Sequence, residues 1–177
     1  MEFQNRKQLK ECLRIERLIY FPDGGAVLPF GIREKDILWT LVKKIRKVEY
    51  HDCMNHRIRK LLYKLLLQKQ QNKYALHIPP HTCEMGLSIA HVGPIIINEG
   101  SKIGKNLRIH VGVNIGANGG KPPKLGESIY IGPGAKVFGE IYIANKCRIG
   151  ANAVVNKSCM KENCTLIGVP AITRLKT

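Results

Sequence analysis

The sequence predicts a left-handed parallel β-helix, a hexapeptide-repeat solenoid, behind an N-terminal α-helical domain. Two periods carry this reading. After Pro79-Pro80 an aliphatic residue recurs every six positions, and before that point apolar residues recur every three or four. Glycine often follows the six-residue slot, at Gly104, Gly116, Gly126, Gly132, Gly150 and Gly168.

Residues 1–75 read as the helical domain. Ile37, Leu38, Leu41, Val42, Ile45 and Val48 form one apolar face, with Lys43, Lys44, Arg46 and Lys47 expected on other faces. A second apolar face runs through Ile58, Leu61, Leu62, Leu65 and Leu66, with Lys60 and Lys64 outside it. Between Tyr20 and Gly31 the chain is rich in glycine and proline, which predicts a loop.

Residues 76–171 read as the solenoid. The slot holds Ile97, Ile103, Ile109 and Ile115, then resumes at Leu125, Ile131, Val137, Ile143, Ile149, Val155 and Ile167, with Lys161 the one break. Each six-residue unit is a short strand and a turn, and three units close a triangular coil. The slot residues point inward and stack on the next coil about 4.8 Å away. Four positions after a slot stands a second inward residue, such as Val113, Ala135, Cys147 or Ala153. The glycines are expected to serve tight turns. Residues 117–124 leave the rhythm and predict an extruded loop; residues 172–177 predict a short C-terminal tail.

Composition narrows the function. The net charge of +16 favours anionic partners, and residues 1–75 alone hold 17 basic against 8 acidic side chains. Aromatics make up only 6% and do not interleave with the basic runs, so nucleic acid is not an expected partner. No apolar run approaches the roughly 18 residues of a membrane span, and no secretory signal opens the sequence, which predicts a cytoplasmic protein. Six cysteines form no C-x-x-C pair and are expected to be free, buried thiols, with no metal bound.

The ordered motifs Ile89-Ala90-His91-Val92-Gly93, Ile109-His110-Val111-Gly112, Ile131-Gly132-Pro133-Gly134-Ala135, Ile149-Gly150-Ala151-Asn152-Ala153 and Gly168-Val169-Pro170-Ala171 resemble those of hexapeptide-repeat acyltransferases of the serine acetyltransferase-like family. The resemblance implies an acetyl-CoA-dependent O-acetyltransferase with no metal. It places the catalytic base on His91, six residues before Ile97 and so in an inward slot, where histidine suits the task because its unperturbed pKa, roughly 6.5, lies near working pH. It also implies that Glu99 orients the histidine or binds the acceptor, and that a backbone N–H near Gly116 or Ala117 holds the oxyanion. CoA would lie along the corners at Ala117, Pro133, Gly134 and Ala151, with its phosphates near Lys136, Arg148 and Lys157. A homotrimer is implied, with helical domains placed to pair two trimers.

The sequence departs from true serine acetyltransferases at Ala90 and Pro122, and at Leu76 or His77, where that family has aspartates and a loop histidine. With Arg46-Lys47-Val48-Glu49-Tyr50 and Ile78-Pro79, these departures make the closer resemblance the subgroup that acetylates capsular or exopolysaccharide sugars. The expected acceptor is therefore a glycan hydroxyl, with peripheral contact to a membrane-linked substrate. The alternatives are a serine O-acetyltransferase and a non-catalytic solenoid scaffold. A zinc hydrolyase similar to γ-class carbonic anhydrases is not favoured, since the one His-x4-His pair, His51 and His56, lies in the helical half.

Overall fold

The computed structural model describes residues 2–29 and 32–175; Phe30 and Gly31 of the expected loop and the last two residues of the expected tail lie outside them. Three helices come first: α1 (Arg6–Tyr20), α2 (Glu34–Cys53) and α3 (Arg57–Tyr74). The Asn5 side chain caps α1 by accepting the Gln8 N–H at 3.0 Å. From α2, Leu38, Leu41, Val42, Ile45 and Val48 enter a core that continues into the first coil at Leu76 and Ile78. The helices thus close one end of the solenoid and share its core.

Two helical expectations are corrected. Arg46 is fully buried rather than solvated, because its guanidinium meets Glu16 and Glu49 inside the core. The row Ile58, Leu61, Leu62, Leu65 and Leu66 on α3 faces solvent. The face of α3 that packs on α2 is instead the one bearing Leu67, Gln70 and Gln71. Gln70 donates to the Ile37 carbonyl at 2.8 Å and Gln71 to the Ile78 carbonyl at 2.7 Å. Amides that find buried partners are as acceptable inside as aliphatics, and a periodicity count does not detect them.

The strands follow as β1 (Leu76–His77), β2 (Ser88–Ile89), β3 (Ile95–Ile97), β4 (Lys102–Ile103), β5 (Arg108–Ile109), β6 (Asn114–Gly116) and β7 (Lys124–Leu125). Then come β8 (Tyr130–Ile131), β9 (Lys136–Phe138), β10 (Tyr142–Ile143), β11 (Arg148–Ile149), β12 (Val154–Val155), β13 (Cys164–Ile167) and β14 (Ile172–Leu175). They form the three parallel faces of a prism: β1-β3-β6-β9-β12, β4-β7-β10, and β2-β5-β8-β11-β13. Within the expected tail, Ile172–Leu175 form β14, antiparallel to β13, which covers the last coil with hydrogen-bonded backbone.

From Ile97 to Val155 every slot residue is buried, as the six-residue period requires. The count fails at both ends. Val155 is followed by Cys159, which bridges Ile143, and then by Leu166, which pairs with Ile149; Ile167 is only half-buried. A four-residue and then a seven-residue step replace the hexads there. Before Ile97, the inward residue is Ile89, which pairs with Ile109.

Gly168 holds a positive φ of +97° as a turn glycine does, but Gly104, Gly126 and Gly132 serve a different purpose from the one expected. Turns fall later in each unit, on Asn106, Ser128, Lys146 and Asn152, which hold the left-handed conformation. Gly132 stands where a Cβ would meet Ala151 N at 2.8 Å, Gly150 C at 3.0 Å and Ile149 O at 3.1 Å. All three contacts are backbone, so no side chain can move aside. Gly132→Ala is expected to destabilise the solenoid by about 1–3 kcal/mol, read as a lower urea midpoint. Of the cysteines, Cys53 is exposed and the other five are buried.

Candidate active site

β2 ends at Ile89, and the chain then turns a corner through Ala90, His91, Val92 and Gly93. Eight residues rather than six separate Ile89 from Ile97. The longer corner takes His91 out of the inward register, and its side chain is 63% exposed. This corrects the expected position in the prism and gives the imidazole access to a substrate.

The ring has a partner that the sequence did not indicate. Glu34, the first residue of α2, places Oε2 3.2 Å from His91 Nδ1, and its Oε1 accepts the Val92 N–H at 2.7 Å. A carboxylate at Nδ1 favours the tautomer protonated there and leaves the Nε2 lone pair free to take a proton. On the next coil the His110 ring lies 6.4 Å from that of His91 and 5.2 Å from Tyr130. Burial, then the charges of Arg108 and His91, lower the pKa of His110, and its buried Nε2 has no hydrogen-bond partner among the described residues. A cleft of about 180 Å³ opens beside this corner, lined by Tyr20, Glu34, Lys35, Ser88, Ala90 and Arg108.

Strand register assigns the remaining candidates to two edges of one face. His91, Val111, Pro133 and Ala151 each follow a paired inward residue by two positions, so they stack at one edge. Gly134, with φ of +73°, donates its N–H to the Val111 carbonyl at 2.9 Å and keeps that edge narrow. Lys136 and Arg148 flank it from the two adjoining faces. Lys136 Nζ donates to the Gly112 carbonyl at 2.5 Å, and the Arg148 guanidinium lies 4.4 Å from the Tyr130 ring centre.

The opposite edge carries Glu99, Ala117 and Lys157, each two positions after the paired residues Ile97, Ile115 and Val155. Gly116 ends β6 just before it. The expected loop over residues 117–124 is here too, as a tight hairpin between Asn118 and Lys121 with Gly119 and Gly120 at positive φ. One chain therefore brings His91 together with Pro133, Gly134 and Ala151, but not with Glu99, Gly116, Ala117 or Lys157. Glu99 makes no side-chain hydrogen bond or ion pair among the described residues, and the orienting contact expected of it is made by Glu34.

Glu34 lies 57 residues from His91. Its only sequence signal is an acid in the first turn of a helix, which on its own reads as compensation of the helix dipole. Replacing it tests the pairing. Glu34→Gln keeps an acceptor for Nδ1–H but removes the charge, and is expected to lower kcat about tenfold, near the low end for a charge-assisted hydrogen bond at a half-exposed site. KM should change little. An unchanged kcat would reduce Glu34 to a helix-packing role.

No family model matches the sequence. The serine acetyltransferase of Mycobacterium tuberculosis is 41% identical over 86 residues, which cover 46% of this chain and 37% of that protein. That of Helicobacter pylori is 41% identical over 95 residues, covering 51% and 55%. The matched region thus spans about half or less of these curated relatives. In fold the likeness is wider. A crystal structure of serine acetyltransferase from Brucella abortus superposes with a TM-score of 0.77 at 22% identity, covering 97% of this chain and 71% of that one. A serine acetyltransferase in complex with CoA gives 0.74 at 26% identity, covering 97% and 72%. These relatives are named as serine acetyltransferases and none of them as a sugar-modifying acetyltransferase. The hexad solenoid behind a helical cap is the architecture of these serine acetyltransferase structures, and over its repeats the chain is similar in sequence to serine acetyltransferases.

Proposed function

We propose that the protein is an acetyl-CoA-dependent O-acetyltransferase with L-serine as its leading acceptor. The observation that carries the reading is His91, exposed at a coil corner with Nδ1 held by Glu34 and Nε2 open. Its chemistry follows from the geometry. Nε2 takes the proton of the acceptor hydroxyl as that oxygen attacks the thioester carbonyl. The C–S bond breaks, and the imidazolium returns the proton to the departing thiolate. A thioester is already activated, so neither a metal nor an acyl-enzyme is needed.

The narrow edge formed by Val111, Gly112, Pro133, Gly134 and Ala151 suits a slender pantetheine arm, and Lys136 and Arg148 offer cations for its phosphates. The oxyanion donor proposed at Gly116 or Ala117, together with Glu99 and Lys157, stands across the face from His91. A second copy of the chain, with its opposite edge against the His91 edge, completes the site, and three such contacts close a homotrimer. Lys35 and Arg108 beside the cleft suit an anionic acceptor group such as the serine carboxylate.

The test is thiol release from acetyl-CoA on adding L-serine, compared with sugar acceptors. Serine-dependent release is expected. A second reading, acetylation of a sugar hydroxyl, rests on Ala90 and Pro122, where the sequence departs from serine acetyltransferases. Release with sugars and none with serine would replace the first reading by the second.

A further inference from the structure

The exposed face of α3 has no role in the site described above. Ile58 is 86% exposed, Leu61 58% and Leu65 61%, and Leu62 and Leu66 are exposed beside them. At 100° per residue these five aliphatics share an arc of about 140°. They cannot be packing residues of this chain, because the opposite side of α3 makes those contacts through Leu67, Gln70 and Gln71. A continuous row of this kind marks an interaction surface.

Charge identifies the partner. α3 holds six cations, Arg57, Arg59, Lys60, Lys64, Lys69 and Lys73, and no acid. Lys60 is paired with Asp52 at 2.6 Å. Arg57 and Lys64 border the aliphatic row on one side and Arg59 on the other, while Lys69 and Lys73 extend it; all five are exposed. Two such faces packed on each other would bring cations together with no carboxylate between them. An apolar row bordered by cations instead matches a surface that is oily beneath and anionic above. We propose that α3 docks on the surface of an anionic lipid bilayer, with Ile58, Leu61, Leu62 and Leu65 in the acyl boundary and the flanking cations at the headgroups. No described helix is long and apolar enough to cross a membrane, so α3 lies in the interface plane.

The experiment is sedimentation of the full chain with vesicles of phosphatidylglycerol and phosphatidylcholine in equal parts, against vesicles of phosphatidylcholine alone. Binding to the anionic vesicles, weakened by salt, is expected. The double variant Leu61→Asp/Leu65→Asp should keep its helical circular dichroism and lose that binding. The triple variant Arg57→Gln/Arg59→Gln/Lys64→Gln leaves the aliphatic row intact and should lower partitioning on the order of 100-fold. Any of three results would overturn the proposal: no binding of the unaltered chain to anionic vesicles at low salt, binding by both variants as strong as that of the unaltered chain, or a loss of oligomer mass in the aspartate variant with vesicle binding unchanged. The last would make the row an interface between copies. Retention on duplex DNA without vesicle binding would assign the cations to nucleic acid and overturn it as well.

Discussion

His91→Ala is expected to lower acetyl transfer by roughly 10²–10⁴-fold, the usual contribution of a positioned general base. The loss should fall on kcat, because the side chain acts on the acceptor proton as the bond forms and adds little to binding of the donor. Stability should hardly change. The ring is 63% exposed and fills no part of the prism, so its removal leaves no cavity. That separation makes the measurement decisive: a folded variant with near-wild-type turnover would leave only a solenoid scaffold. Glu34→Gln and His91→Ala should be less than additive, since the carboxylate has nothing to orient once the imidazole is gone.

The middle of the solenoid was legible because its corners have constant length. From Ile97 to Val155, apart from one interruption that the sequence itself marks, each hexad advances one face of the prism, so counting residues amounts to measuring register. Where a corner lengthens without an obvious marker, the count goes out of phase. Two extra residues between Ile89 and Ile97 turned an exposed histidine into an apparent core residue. The four- and seven-residue steps after Val155 exchanged Leu166 for Ile167. The motif around His91 is local and does not depend on this count. Its partner was out of reach, since nothing near Glu34 in the chain refers to a corner 57 residues away.

The helices taught a different lesson. Apolar spacing located α2 and α3 but assigned α3 the wrong inner face. It also sent Arg46 to solvent, because a charged residue was assumed to be an exterior one. That assumption holds for isolated charges. It fails where several elements converge to satisfy every donor of a guanidinium, and such convergence is a property of the fold rather than of any short segment.

Arg46→Ala is therefore expected to cause the largest loss of stability of any substitution considered, about 3–5 kcal/mol, because it leaves two buried carboxylates without their cation. The guanidinium uses all five N–H groups. It donates to Glu16 through Nε and Nη2, the latter at 2.8 Å, to Glu49 at 2.8 Å, and to the carbonyls of Cys83 and Glu84 at 2.8 and 2.7 Å. Burial alone would make Arg46 less basic, but the two carboxylates raise its pKa well above the ordinary value, so it stays charged. Arg46→Lys should recover little, since one ammonium cannot span that fork.

Replacing all three charged groups by apolar residues, which relieves some buried ion clusters, should fail here. Glu16 Oε1 also accepts the N–H groups of Gly86 and Leu87, and Glu49 Oε1 accepts that of His81, so three backbone donors would be stranded. The cluster joins α1 and α2 to the first coil, and Glu34 joins the other end of α2 to the same coil about 18 Å away along the helix axis. Arg46→Ala should consequently reduce turnover even at temperatures where the protein is folded, through a loosened Glu34–His91 contact. Denaturant unfolding with activity measured in parallel checks both parts, and an unchanged unfolding midpoint would show that the helices hold to the coil without this clamp.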